Sequence, residues 1–280
     1  MMAILMGLLS ALCWGGTDFL AGSAARKIGV YKSLFFSQIF GLLLLSIIVL
    51  CSYKPVSASV ASLSICIAAS LCNLAAMVFL LKALSIGKAA VVAPIASLYG
   101  AITTLLSLFS GNSLSSLTLF SLILCVLGAC LTSIPKSGDG KRETPASIIF
   151  AFLSAVLFGA GFWLQGEFAV HAFGVIIALW IYYCTAVILL FIYLSVKRDF
   201  AAPPVSLLSL LFSISFFSLV GFFSLAYGAK SGHVAIVTVL SSLASGVTAL
   251  LGFFIRGERL SRLQGVGLVV IITGVMLLKV

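Results

Sequence analysis

Charge is what this sequence has least of: 8% of its 280 residues are Asp, Glu, Lys or Arg, where a soluble domain carries about a quarter. With 62% of the chain hydrophobic, polar surface is too scarce to cover a water-facing core. The apolar residues must therefore face lipid. The usual catalytic equipment is missing as well. There is no GxxxxGK[ST] phosphate loop, which excludes ATP hydrolysis by this chain, and no HExxH zinc helix. No GxSxG elbow occurs, and His171 and His233 stand far apart, so no enzyme is expected. The seven cysteines include no CxxC pair and no His or acid at ligand spacing. They read as small buried hydrophobes, and neither metal nor cofactor is expected.

The net charge of +10 is a basic excess without a basic face. Lys and Arg come singly, in twos or in threes between apolar runs, as in loops flanking membrane helices, so nucleic acid is not expected as a partner.

What is present is a series of apolar runs. A bilayer crossing takes about 20 helical residues, and candidate spans fall at 3–22, 33–52, 60–81, 89–109, 116–134, 147–166, 173–195, 206–228, 234–254 and 263–279. The first run lacks a basic leader and is too long for a signal peptide, so it is expected to be retained. The longest polar stretch, PKSGDGKRETP at residues 135–145, reads as a cytoplasmic linker between halves at 1–134 and 146–280.

Those halves repeat. GLLSALCWGGTDFLAG, starting at Gly7, overlays AFLSAVLFGAGFWLQG, starting at Ala151, at an offset of 144. SIGKAAVVAPIASL from Ser85 overlays KSGHVAIVTVLSSL from Lys230 at 145, and GNSLSSLTLFSLILCVLGACL from Gly111 overlays GERLSRLQGVGLVVIITGVML from Gly257 at 146. Single-residue drift over three blocks is what loop insertions in a duplicated unit produce. Each unit holds five spans, an odd number, so the second copy enters the membrane the other way up. The fold class expected is an all-α polytopic membrane protein, ten transmembrane helices in two inverted five-helix repeats. Of the 16 basic residues, the odd-numbered connections hold thirteen, which leaves Lys54, Lys230 and Lys279 elsewhere. The positive-inside rule then puts both termini outside an inner or plasma membrane.

The opening phrase of each unit carries the polar chemistry. Ala11 and Gly15, like Ala155 and Gly159, make small-xxx-small pairs that serve close helix packing or flexibility beside a cavity. Ser10, Trp14, Thr17 and Ala21 share one helical face, and Ser154, Phe158, Gly161 and Gln165 share its counterpart. These faces suit a cavity at the seam of the repeats, although hydroxyls bonded to their own helix would give the same pattern. Asp18 has two readings: near its helix end it could pair with Arg26 or Lys27, and facing a cavity it could bind a proton or an amine. Glu258 reads as a carboxylate capping the last helix, with Asn112 at the aligned place in the first unit.

Taken together, WGGTDFLAG, FGAGFWLQG and the GERLSRLQGVGLVVIITGVML ending resemble the ten-helix EamA type of the drug/metabolite transporter superfamily across nearly the whole chain. Departures are Gly111-Asn112, where the family often has Gly-Glu, and Gly100 and Ser245, where a proline is common. The resemblance implies a central cavity formed by the first, third, fourth, sixth, eighth and ninth helices, alternating access, and frequent export of amino acids or other small metabolites. Carried to this chain, the substrate-binding candidates are Trp14, Asp18, Asn73, Tyr99, Trp163, Gln165, Tyr227 and Ser242. The expected partners are a small-molecule substrate and the lipid bilayer. The substrate gradient or proton exchange supplies the driving force, and a homodimer is compatible with the sequence. A uniporter or channel-like facilitator is the first alternative, and a non-transporting scaffold or receptor the second.

Overall fold

The computed structural model describes residues 2–52, 59–87, 92, 95–111, 114–132, 144–231, 233–247, 251 and 262–277. Every regular element among them is helical. A backbone in lipid must satisfy its N–H and C=O groups within its own segment, and the helix does so. The first half holds α1 (Met2–Ile28), α2 (Val30–Ser52), α3 (Val60–Ile86), α4 (Tyr99–Phe109) and α5 (Ser116–Thr132). In the second, α6 (Pro145–Leu164) passes through a π-helical turn, Gln165–Ala169, into α7 (Val170–Lys197). There follow α8 (Val205–Ala229), α9 (Val234–Ser241) and α10 (Arg262–Leu277). Met2–Ile28, Val30–Cys51, Val60–Ile86, Pro145–Lys197 and Val205–Ala229 are apolar and long enough to cross a membrane.

Two of these helices run on to a change in the backbone past the point where hydropathy falls. The first run was expected to end near residue 22, yet α1 continues through Arg26 and Lys27 to Gly29, whose φ of +86° is open chiefly to glycine. A connection was expected around residues 167–172. The chain is still helical there and breaks at Gly174, with φ 73° and ψ 167°. Gly29 and Gly174 lie 145 residues apart, so aligned positions turn the chain in both halves.

On α1 most of the small residues face inward and several leucines face outward: Gly7, Ser10, Ala11, Gly15 and Ala21 are buried while Leu5, Leu9 and Leu12 are exposed. That is the reverse of a soluble helix, because lipid solvates leucine and close backbone approach holds membrane helices together. A Cβ on Gly15 would lie 2.5 Å from that of Val247, and one on Gly159 would lie 2.7 Å from that of Ile102. Both members of this second contact sit 144 or 145 residues from those of the first.

The same correspondence runs through the packing between halves. The long contact of α1 with α8 has its counterpart in α3 with α6, and α1 with α9 in α4 with α6; α2 packs on α7, α4 on α9 and α5 on α10. In the last pair a Cβ on Gly128 would meet Ile271 Cγ1 at 2.7 Å and the Gly267 carbonyl at 2.8 Å. A Cβ on Gly274 would meet Cys125 Sγ at 2.8 Å and the Ser121 carbonyl at 3.0 Å, each position shifted by 146. Two hydrogen bonds also join the halves: Gln38 Nε2 donates to Tyr182 Oη at 3.1 Å, and Ser97 Oγ to the carbonyl of its aligned position, Ser242, at 3.0 Å. Most of the stretch read as a linker, and with it Lys136, Lys141 and Arg142, lies outside the described residues.

Candidate functional site

The α1 sequence places Trp14, Asp18, Gly22 and Arg26 at four-residue steps, with Thr17 beside them, so they share one helical face. That face borders a cavity of about 120 Å³, of the order of cavities that accept a benzene-sized guest. Opposite stand Met77, Leu80 and Leu84 of α3, Phe158 and Phe162 of α6, and Phe222 of α8. Ser97 and Tyr99 close it at the start of α4, and Ser242 and Ser245 follow α9.

Its inner end is aromatic. Trp14 stacks on Phe162 with ring centres 5.2 Å apart, and Phe162 stacks on Phe158 at 5.2 Å. Phe222 meets Trp14 edge-on at 5.0 Å and Tyr99 meets Phe162 edge-on at 5.3 Å. Such contacts contribute roughly 0.5–1.5 kcal/mol each beyond buried area, enough to hold the rings in fixed orientations. Tyr99 Oη lies 3.1 Å from Ser241 Oγ, and Thr17 Oγ1 donates to the Cys13 carbonyl at 3.0 Å. Of the hydroxyls on the two matched faces, Thr17 is thus tied to its own helix, whereas Ser10 Oγ and Ser154 Oγ are buried without a hydrogen-bond partner.

Asp18 lines the cavity and forms no ion pair among the described residues. Arg26 lines its outer end, at the exposed last turn of α1. The ion pair that is described, Lys32 with Asp199 at 2.6 Å, lies elsewhere. Chemically the site offers an apolar aromatic floor, one carboxylate and one guanidinium; among the described residues no group of three His, Cys, Asp or Glu could hold a metal.

Four of the eight residues singled out from sequence, Trp14, Asp18, Tyr99 and Ser242, come together here. Asn73 and Gln165 instead bond each other, Asn73 Nδ2 donating to Gln165 Oε1 at 2.9 Å in the buried contact of α3 with the π turn. Trp163 Nε1 donates to Ser110 Oγ at 2.9 Å, and Tyr227 is exposed and stacked on Phe223, both outside the cavity lining. Glu258 and Asn112 lie outside the described residues. Missed were Arg26, Met77, Ser97, Phe162 and Phe222. The repeat would have found two of them, since Phe162 aligns with Asp18 and Ser97 with Ser242; Met77 and Phe222 align with each other.

The two ends of the seam differ. Gly22, Arg26, Leu80 and Leu84 border the cavity, whereas their aligned partners Gly166, Val170, Leu225 and Ala229 are buried in packing. A Cβ on Gly166 would meet Val234 Cγ2 at 2.8 Å and Ala229 Cβ at 3.2 Å; one on Gly22 would find only Arg26's own guanidinium, at 3.9 Å.

A family model described as the EamA-like transporter family matches this chain at residues 1–134 and again at 146–280. No curated protein matches it. Solved structures do, 28 chains of them. One is a crystal structure with a TM-score of 0.79 at 18% identity, covering 98% of this chain and 95% of that one, a likeness of fold.

Proposed function

The chain belongs to the EamA-like transporter family of the drug/metabolite transporter superfamily, multi-pass membrane transporters of small solutes, and from that premise we propose that it is a secondary-active carrier working by alternating access. Its architecture in this reading is ten transmembrane helices in two inverted five-helix repeats joined by the 135–145 linker. The odd-numbered connections are cytoplasmic and both termini extracytoplasmic. Paired contacts between aligned positions support the duplication, and the distribution of Lys and Arg supports the orientation.

One observation carries the mechanism: the seam is open at Gly22, Arg26, Leu80 and Leu84 and packed shut at Gly166, Val170, Leu225 and Ala229. If the halves share a fold, each can adopt the other's arrangement, and exchanging them moves the opening to the opposite face. A solute at the aromatic floor is then exposed to one side at a time. The cavity opens on the α1 end carrying Arg26 and Lys27, cytoplasmic in this orientation, which fits loading for export. The substrate gradient drives the cycle, or proton exchange at Asp18 does.

Counterflow in proteoliposomes tests the reading. A carrier accelerates uptake of labelled solute when unlabelled solute is trapped inside, and the rate saturates. Flux that rises linearly with concentration and shows no trans-stimulation would establish a channel instead.

A further inference from the structure

Outside the cavity, the mouth end of the bundle holds a second constellation. Lys82, one turn before the end of α3, has its ammonium 5.4 Å from the ring centre of Tyr31 and 5.9 Å from that of Phe150. Tyr31, in the first turn of α2, stacks at 4.1 Å on Tyr193 near the end of α7, and Phe150 belongs to α6, so four helices meet around one cation. Rings attract a cation to their faces, but an ammonium also carries three N–H donors. Among the described residues none of these meets a carboxylate. The described acids are committed elsewhere: Asp199 to Lys32 at 2.6 Å, Asp18 to the cavity lining, and Glu167 beside Ser107 at the packed end.

Depth and surroundings say what the missing anion is. Lys82 is half-buried, so water answers its charge only in part, and it lies close enough to a helix end to reach the headgroup layer of a bilayer. Leu189 and Val196, one turn either side of Tyr193, are exposed, which leaves an apolar track beside the cation. The aligned position in the other half is Tyr227, uncharged and stacked on Phe223, so the feature belongs to one face of the membrane. We propose that Lys82, steadied by the Tyr31 and Phe150 rings, binds the phosphate of an anionic phospholipid whose acyl chains lie along the exposed face of α7. A zwitterionic lipid brings its own ammonium to its phosphate and answers Lys82 less well; a lipid of net negative charge supplies what the chain does not. Leu80 and Leu84, on either side of Lys82 in α3, border the cavity, so an occupied site ties α2, α3, α6 and α7 together beside the mouth. The site needs only a chain lodged in a bilayer and stands whether or not the carrier mechanism does.

The test uses the purified full chain in neutral detergent at high salt, where diffuse surface attraction is screened. Palmitoyl-oleoyl phosphatidylglycerol, the phosphatidylcholine with the same chains, and glycerol phosphate, which has no chains, are titrated against the melting temperature, and native mass spectrometry reads the lipid retained. Phosphatidylglycerol should stabilise at about fivefold lower concentration than phosphatidylcholine, the scale of one lysine at an anionic membrane surface. Glycerol phosphate should have no effect at those concentrations. Lys82→Gln should abolish the preference, Lys82→Arg should keep it, and Lys197→Gln, which removes a charge from the exposed end of α7, should leave it unchanged. The melting temperature without lipid checks that each variant is folded. Equal stabilisation by the two lipids overturns the site. So does an equal loss in Lys82→Gln and Lys197→Gln, which would mean a diffuse basic surface, and so does stabilisation by glycerol phosphate alone, which would mean a soluble anion. Lys82→Gln melting low in detergent, with lipid adding nothing to the wild type, would give Lys82 a partner within the chain instead.

Discussion

Trp14 is the residue on which the cavity floor turns, because three rings from three other helices meet it: Phe162 of α6, Phe222 of α8 and Tyr99 of α4. Replacing it by Ala removes that shared partner, and a buried Trp→Ala change costs roughly 3–5 kcal/mol of stability. Trp14→Ala should lower the melting temperature and abolish counterflow together. Tyr99→Phe separates the two effects. The ring stays and only the hydrogen bond with Ser241 goes, so stability should fall by about 1 kcal/mol with transport largely kept. Asn73 and Gln165 make a second comparison at this scale. Each is buried, and each already has one amide atom, Asn73 Oδ1 and Gln165 Nε2, without a partner in the structure. Asn73→Ala leaves the Gln165 amide wholly unpaired, at about 1–3 kcal/mol. Asn73→Ala with Gln165→Leu should be less destabilised than the sum of the singles, and a denaturation cycle over the four proteins reads that coupling.

Between elements, glycine contacts set the spacing. Gly15 faces Val247 with no room for a methyl, while its neighbour Gly16 has nothing within 4 Å of a built Cβ. Gly15→Ala should therefore destabilise by about 1–3 kcal/mol through overpacking, and Gly16→Ala should stabilise by up to about 1 kcal/mol through helix propensity. Thermal unfolding in detergent of the two single variants tells them apart; equal shifts would mean that α1 and the segment after α9 are not in the described contact. Gly174 is bound by conformation, since its φ and ψ fall where residues with a Cβ are strained, by roughly 1–3 kcal/mol. These elements also show what sequence made legible. Apolar runs were enough to anticipate the described helices, because they follow from side-chain polarity and spacing. The ends were not, because α1 runs past its hydrocarbon section and the π turn at Gln165 carries α6 through a predicted loop. Asn73 and Gln165 have the polarity of cavity residues, and only three-dimensional contact shows that they satisfy each other.

For the whole molecule, the cavity's asymmetry is the feature that function must use, and it can be trapped. The built Cβ of Gly166 lies 3.2 Å from that of Ala229, near the span of about 3.5–4.5 Å over which disulfides form. Gly166→Cys with Ala229→Cys, in a chain otherwise cleared of its seven cysteines, should cross-link on mild oxidation and hold the π turn to α8 at the packed end. Alternating access then stops with the α1 mouth still open. Solute binding should survive, counterflow should fall to the level of empty vesicles, and a reductant should restore it. Neither single variant should respond to oxidant. A cross-linked protein that still exchanges solute at the original rate would mean that the packed end does not open during transport, and the exchange of arrangements between halves would have to be abandoned.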